Sequence, residues 1–237
     1  MRLQLRNKIV DFSDRTMVMG IININDDSFS GDGTLDQNKA MGMAMAKVEE
    51  GADIIDIGAE SARTNRGPIS VEEEINRLTP FIKTFHSAKW DKDRPKPLLS
   101  VNTWRSEVSR KILPLGVDIL NDIGALSQSD NATICADHGT ALLIMHSIGL
   151  PKEPHLGQKY ENVIEEINLF FEKKINLATS VRLKAEQILL DPGIDFAKDR
   201  AENLNILKNL REFYKHCLLY TSDAADEGLG VDLGGRR

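Results

Sequence analysis

Short apolar runs alternate with longer amphipathic stretches along most of this chain. The runs are Val18–Ile22, Ile54–Ile57, Leu98–Val101, Ile119–Leu120, Ala141–Met145 and Ile188–Leu190. Each is too short for a helix and most are rich in Ile, Leu or Val, so each predicts a buried strand. The stretches between them, 36–50, 71–86, 105–115, 129–138, 160–182 and 202–213, predict helices. Ser70 followed by Glu73 predicts an N-cap with its capping-box partner. Gly51, Gly116 and Gly139 stand just after helical runs, where C-terminal stops belong. A regular strand–helix repeat implies a parallel sheet with right-handed crossovers. A doubly wound sheet would carry the same repeat, but no Gly-rich phosphate fingerprint follows the first strand. One strand per ~35 residues favours a barrel. The expected fold is therefore α/β, a TIM (β/α)8-type barrel with a parallel sheet, incomplete here at six to seven strands, with Cys217–Thr221 as the candidate seventh.

The ends of the chain follow other patterns. The N-terminal RLQLRNKIVDF predicts a hairpin turning near Asn7-Lys8, a piece able to close the bottom of a barrel. Residues 87–97, SAKWDKDRPKP, read as the clearest internal loop. SDAADEGLGVDLGGRR at the C-terminus has no β-branched run and no room for a long helix, which reads most simply as disorder. The expected division is a barrel domain over 1–216 and a tail over 217–237.

Composition narrows the setting. A chain of 237 residues suits one domain with a full core. The net charge of −6, with signs interspersed, gives no basic footprint for nucleic acid. Cys135 and Cys217 match no metal spacing and no disulfide framework, which fits a reducing cytosol. No apolar run approaches ~20 residues and no charged leader opens the chain. The expectation is a cytoplasmic protein with no membrane contact.

Polar residues collect where the strands end. Asn23 follows the first strand, opening a loop with Asn25, Asp26, Asp27, Ser28 and Ser30 around Phe29. The second strand is followed by Gly58-Ala59-Glu60-Ser61-Ala62-Arg63. The third delivers Asn102 and Thr103, the fourth Asn121 and Asp122, the fifth His146, and the sixth Asp191-Pro192-Gly193. In a parallel barrel all of these share one rim, the rim that carries chemistry. Each one alone could be a helix N-cap or a turn former; six in register are harder to explain that way. Their character is amide plus carboxylate, without a nucleophile–base pair. A carboxylate such as Asp191 matches a ring edge presenting an N–H beside an amino group, as pterins and guanines do. Arg63 suits a carboxylate or phosphate. Asn23 offers a hard oxygen to magnesium, which keeps several waters and bridges phosphate oxygens. Asp56 on an inward face requires hydrogen-bond partners, a structural role being favoured over catalysis. His146 could be a general base, though packing or a loop hydrogen bond suits it better. Met41, Met43 and Met45, two apart, cannot share one helix face.

The blocks MGIININDDSFSGDG, DIIDIGAESAR, SVNTWRSEV, ILNDIGAL, LLIMHS and LLDPGIDFAKD resemble, in order and spacing, the signature blocks of the dihydropteroate synthase family. The likeness covers roughly residues 15–215. It implies a TIM-barrel transferase of folate biosynthesis that joins p-aminobenzoate to a dihydropterin diphosphate with magnesium, releasing diphosphate. The family also suggests a homodimer. Carried over by motif, Asn23 is the metal and diphosphate contact. Asn102, Asn121, Met145 and Asp191 belong to the pterin pocket. Ser28, Phe29, Ser61, Arg63 and Phe196 belong to the p-aminobenzoate and diphosphate side, with Arg63 and Asp191 as the catalytic pair.

The chain also departs from the family pattern. Asn25-Asp26 stands for Thr-Pro, Ala62 for Thr, Thr64 for Pro, and Asn102 for Asp. Asp195-Phe196-Ala197-Lys198 stands for Gly-Phe-Gly-Lys. An amide at 102 cannot offer a carboxylate's paired acceptors, and its NH2 adds donors. The family's late Ser-Arg-Lys and Arg-x-His have no counterpart after Cys217, where the sequence resembles foreign read-through joined to an interrupted gene. Two competing expectations follow: a pterin-binding protein without synthase activity, and a methyltetrahydrofolate-binding methyltransferase domain. The DDSFSG loop argues against the second, because a methyl donor has no diphosphate to lose.

Overall fold

A computed structural model describes residues 2–12, 15–25, 33–61, 67–91, 95–127, 130–149, 151–153, 159–216 and the backbone of 219–220. Seven parallel strands form one sheet in sequence order after an N-terminal hairpin of β1 (Arg2–Gln4) and β2 (Ile9–Asp11). They are β3 (Met19–Asn23), β4 (Ile54–Gly58), β5 (Leu98–Asn102), β6 (Ile119–Asp122), β7 (Ala141–Met145), β8 (Ile188–Asp191) and β9 (Leu219–Tyr220). Helices α1 (Gln37–Glu49), α2 (Val71–Ser87), α3 (Ser106–Ile112), α4 (Asp130–His138), α5 (Val163–Ser180) and α6 (Arg200–Lys208) lie between them. Every expected strand and helix is present, the ends shifted by a few residues. Most strands run one or two residues further than their apolar runs. Asn102, Asn121, Asp122 and Asp191 thus pair within the ladder rather than beginning a loop. The seventh strand falls inside the stretch expected to be tail; 221–237 lies outside the described residues.

Alternation along each strand divides the core into two parts. Outward residues such as Ile55, Ile57, Leu99, Val101, Leu142 and Ile144 pack with Leu78, Phe81, Phe85, Val108 and Phe171 of the helices. Inward residues Ile54, Leu98, Ile119, Ala141, Leu143, Met145 and Leu189 form a second cluster, the barrel interior.

The bottom of that interior is closed by the hairpin, whose two strands pair antiparallel. Leu3 and Leu5 are buried in the inner cluster. Arg6 donates to the carbonyls of His138 (Nε, 2.6 Å) and Leu113 (Nη2, 3.2 Å). Gly139 makes the approach possible: a Cβ there would lie 2.9 Å from Arg6 Cα, and its φ of +65° is left-handed.

Local chemistry sets the helix ends. Asp36 accepts from the N–H groups of Asn38 and Lys39, and Ser70 Oγ from Glu73 N at 3.1 Å. The expected capping box at Ser70 is only half made, because Glu73 Oε1 instead takes Arg77 Nε at 2.7 Å. A complete box, missed in the sequence, opens α6: Asp199 Oδ1 accepts from Glu202 N, and Glu202 Oε2 from Asp199 N. Gly51 and Gly116 take the left-handed conformation of helix stops.

Candidate active site

Register places the polar strand ends side by side at the C-terminal mouth. Asn23 pairs with Gly58, Gly58 with Asn102, and Asn102 with Asn121; Met145 pairs with Asp191. All point inward by alternation with the buried interior residues. One layer beneath, Asp56 is paired with Ser100, both buried. Asn121 Nδ2 donates to Asp56 Oδ2 at 3.3 Å. This is the structural bond expected of Asp56.

Asp191 is anchored from its own loop. Its Oδ1 accepts from Gly193 N at 2.7 Å, and its carbonyl accepts from His146 N at 2.7 Å. Gly193 has a φ of +65°, and a Cβ there would collide with the His146 carbonyl. Any other residue would push the loop away from the carboxylate it holds. Met145 and Phe196 pack in the inner cluster next to this loop.

Lys198 closes the arrangement and was missed as a functional candidate. Its Nζ donates to the carbonyls of Gly193 (2.7 Å), Phe196 (2.8 Å) and His146 (3.2 Å). Three donors meet three acceptors, tying the loop after β8 to the end of β7. Burial pushes this ammonium down to about 7, opposed by Asp191, Glu202 and Asp195. The signal available in the sequence was a lysine at the far end of the turn that Asp191 opens.

Three polar residues expected on the rim turn the other way. Asp122 faces the helix layer, fully buried, where Oδ1 accepts from Gly124 N (2.9 Å) and Oδ2 from Leu126 N (3.2 Å) and Asn131 Nδ2 (2.9 Å). Burial pushes it up to about 6 against those three donors. Thr103 is fully buried and hydrogen-bonds Glu74 of α2. His146 packs on Phe170 and Tyr160, with ring centroids 4.7 and 5.9 Å away. Burial, then Lys198, pushes it down to about 2, so it is neutral and no general base near neutrality. The physical reason is the same in each case: the residue follows an inward neighbour, so the pleat sends it outward.

A buried ionic cluster, also missed, stands beside the mouth. Arg105 pairs with both Glu60 and Glu74, Lys152 Nζ lies 3.3 Å from Glu60, and Ile69 N donates to Glu60 Oε1 at 3.2 Å. Burial pushes Glu74 up, while Thr103 and Arg105 pull it down. These partners are far apart in sequence, so no local spacing announces them. Ser28, Phe29, Ala62, Arg63 and Thr64 lie outside the described residues. Ser61 lies within them, half-buried at the start of that loop.

Residues 19–222 match the model of the family described as pterin binding enzyme. The chain belongs to that family. Its relatives include the dihydropteroate synthases of Synechocystis, 36% identical over 212 residues (89% of this chain, 71% of the relative), and of Haemophilus influenzae, 34% identical over 214 residues (90% and 75%). Among solved structures, Yersinia pestis dihydropteroate synthase in complex with a sulfonamide drug superposes with a TM-score of 0.83 at 31% identity, covering 94% of this chain and 78% of that one. Xanthomonas albilineans dihydropteroate synthase with 4-aminobenzoic acid gives 0.79 at 29% identity, covering 94% and 78%. This pterin-binding enzyme thus shares the barrel of the dihydropteroate synthases, the transferases of folate biosynthesis to which it is homologous. Among its described residues no helix is long and apolar enough to cross a membrane.

Proposed function

We propose that this chain acts as a dihydropteroate synthase, joining p-aminobenzoate to a dihydropterin carrying a diphosphate leaving group. The observation that carries the reading is the inward row Asn23, Asn102 and Asn121, in register, with Asp191 beside Met145 one inward layer further up the same rim, in a chain homologous to synthases. The aniline nitrogen is already a nucleophile, so a strong base is unnecessary, in keeping with a neutral, outward His146. Asp191 accepts from the N–H and amino group of the pterin edge and stabilises positive charge that spreads over the ring as diphosphate departs. Phe196 and Met145 give the ring an apolar flank. Arg63 and Ser61 serve the diphosphate and p-aminobenzoate side, with Ser28 and Phe29 in the loop after β3.

Magnesium fits this reading. The described residues contain no group of three or more His, Cys, Asp or Glu able to cage a metal. Magnesium needs no such cage when substrate phosphates and water fill most of its coordination. Asn23 is the residue that would hold it, and when bound it would supply Lewis acidity to the leaving group.

The test is an assay of dihydropteroate formation with magnesium, dihydropterin diphosphate and p-aminobenzoate, run beside calorimetry of pterin binding. Product formation above the uncatalysed rate is expected. Binding without product would replace the synthase with a pterin-binding protein. Failure to bind would remove both readings.

A further inference from the structure

The loop after β8 is wound against the ordinary preference of its residues. Gly193, Asp195 and Ala197 have φ of +65°, +65° and +53°. Glycine takes that conformation freely and Asp tolerates it, but alanine incurs a steric penalty there. Such a conformation persists only where the surroundings impose it. Lys198 supplies one constraint, gathering the carbonyls of Gly193 and Phe196 on a single ammonium. The second comes from α6. Asp195 N donates to Asn203 Oδ1 at 3.0 Å, and Asn203 Nδ2 returns a bond to Asp195 Oδ1 at 2.6 Å. A backbone N–H needs an acceptor and a carboxylate needs a donor, and an amide closes both bonds at once. Asn203 is buried, on a first helical turn already fixed by the box of Asp199 and Glu202. The clamp therefore stands on a rigid footing.

Phe196 lies between the clamped residue and the lysine, and its ring packs on the inner cluster. The proposed function gives the site two apolar flanks. Met145 is held by its strand, paired with Asp191 in the ladder. Phe196 has no strand to hold it, so the backbone on either side decides where its ring stands.

We propose that Asn203 is a positioning residue for p-aminobenzoate: through Asp195 it sets the ring of Phe196 against that half of the ligand, without touching the ligand itself. The proposal rests on the synthase reading of the mouth. Replacing Asn203 should weaken the hold on the p-aminobenzoate half and spare the pterin half, which Asp191 and Met145 retain. The test is calorimetry at mildly alkaline pH, where facing carboxylates are both ionised. The ligands are pteroic acid, which carries both halves, and 6-hydroxymethylpterin, which carries one; neither requires turnover. Asn203→Asp turns a carboxylate toward a carboxylate and should lower pteroate affinity by about tenfold, with 6-hydroxymethylpterin within about twofold of the unaltered chain. Asp195→Asn combined with Asn203→Asp exchanges the partners and closes both bonds again, giving up only the 3.5 Å bond from Asn203 Nδ2 to the Lys198 carbonyl. Pteroate affinity should then return to within about threefold of the unaltered chain. Equal losses for the two ligands, or a double variant no better than Asn203→Asp, overturns the proposal. If Asn203→Asp does not fold, Asn203→Ser, which opens the clamp without adding charge, decides: a loss confined to pteroate supports the proposal, and an equal loss for both ligands overturns it. An unaltered chain that binds pteroate no better than 6-hydroxymethylpterin overturns the proposal and leaves the pterin reading standing. One that binds neither removes both.

Discussion

Asn121 and Asp122 are neighbours on one strand, yet they belong to different parts of the molecule. Asn121 points into the mouth with one amide hydrogen on Asp56, while Asp122 points into the helix layer and is met by three donors. Met145 and His146 repeat the contrast: one lines the inner cluster, the other is packed against aromatic rings of the outer layer. A polar residue whose hydrogen bonds are met within the fold serves the fold. One that faces the mouth with capacity to spare is available to a ligand. The pleat sorts neighbours on one strand between the two fates, and depth adds to it: Asp56 is inward too, but lies one layer below the mouth and is spent on Asn121.

The largest test of this contrast is Asp191→Asn. Losing a charged fork to the ligand should cost about 2–5 kcal/mol of pterin affinity if the pair is buried in the complex, with the thermal midpoint little changed. Calorimetry and a melting curve check both halves. Unchanged affinity would remove Asp191 from the site.

Asp122→Ala should do the reverse. It orphans the N–H groups of Gly124 and Leu126 and the Asn131 amide, at a cost of about 3 kcal/mol in folding stability. Pterin affinity of the folded protein should stay within about twofold, since the residue faces the other way. Urea unfolding measures the first and calorimetry the second. A large loss of affinity at full stability would place Asp122 on the wrong side of the comparison.

The smallest effect concerns His146 and acid. Its folded pKa lies far below its unfolded value, so the folded state refuses a proton that the unfolded chain accepts. The stability this represents is complete above pH ~6.5 and is lost as pH falls, by ~1.4 kcal/mol per unit. His146→Phe should flatten that slope between pH ~7 and ~5.5, read from urea midpoints. Equal slopes in both proteins would mean that the imidazole reaches solvent.

Much of this was legible in the sequence. Six apolar runs of strand length foretold the sheet, and the hairpin at the N-terminus followed from its own alternation. Asn102, Asn121 and Asp191 were legible because each closes an apolar run. Inward and outward were harder to separate, because a polar pair such as Asn121-Asp122 presents the same composition in either phase. Lys198 and the cluster of Glu60, Glu74, Arg105 and Lys152 were not legible. Their partners are backbone carbonyls or residues distant in sequence, and neither leaves a spacing to read.

The hairpin that seals the bottom has a consequence for the order of assembly. Arg6 leaves the ribosome well before its partner, because the carbonyl it binds belongs to His138, 132 positions later. Leu3 and Leu5 likewise need a socket built from β4 through β8. The hairpin is therefore made well before the socket it docks in, and it closes a loop spanning more than half of these 237 residues. Contacts of such separation slow folding, which makes the seating of this N-terminal hairpin a natural late step in the maturation of the barrel.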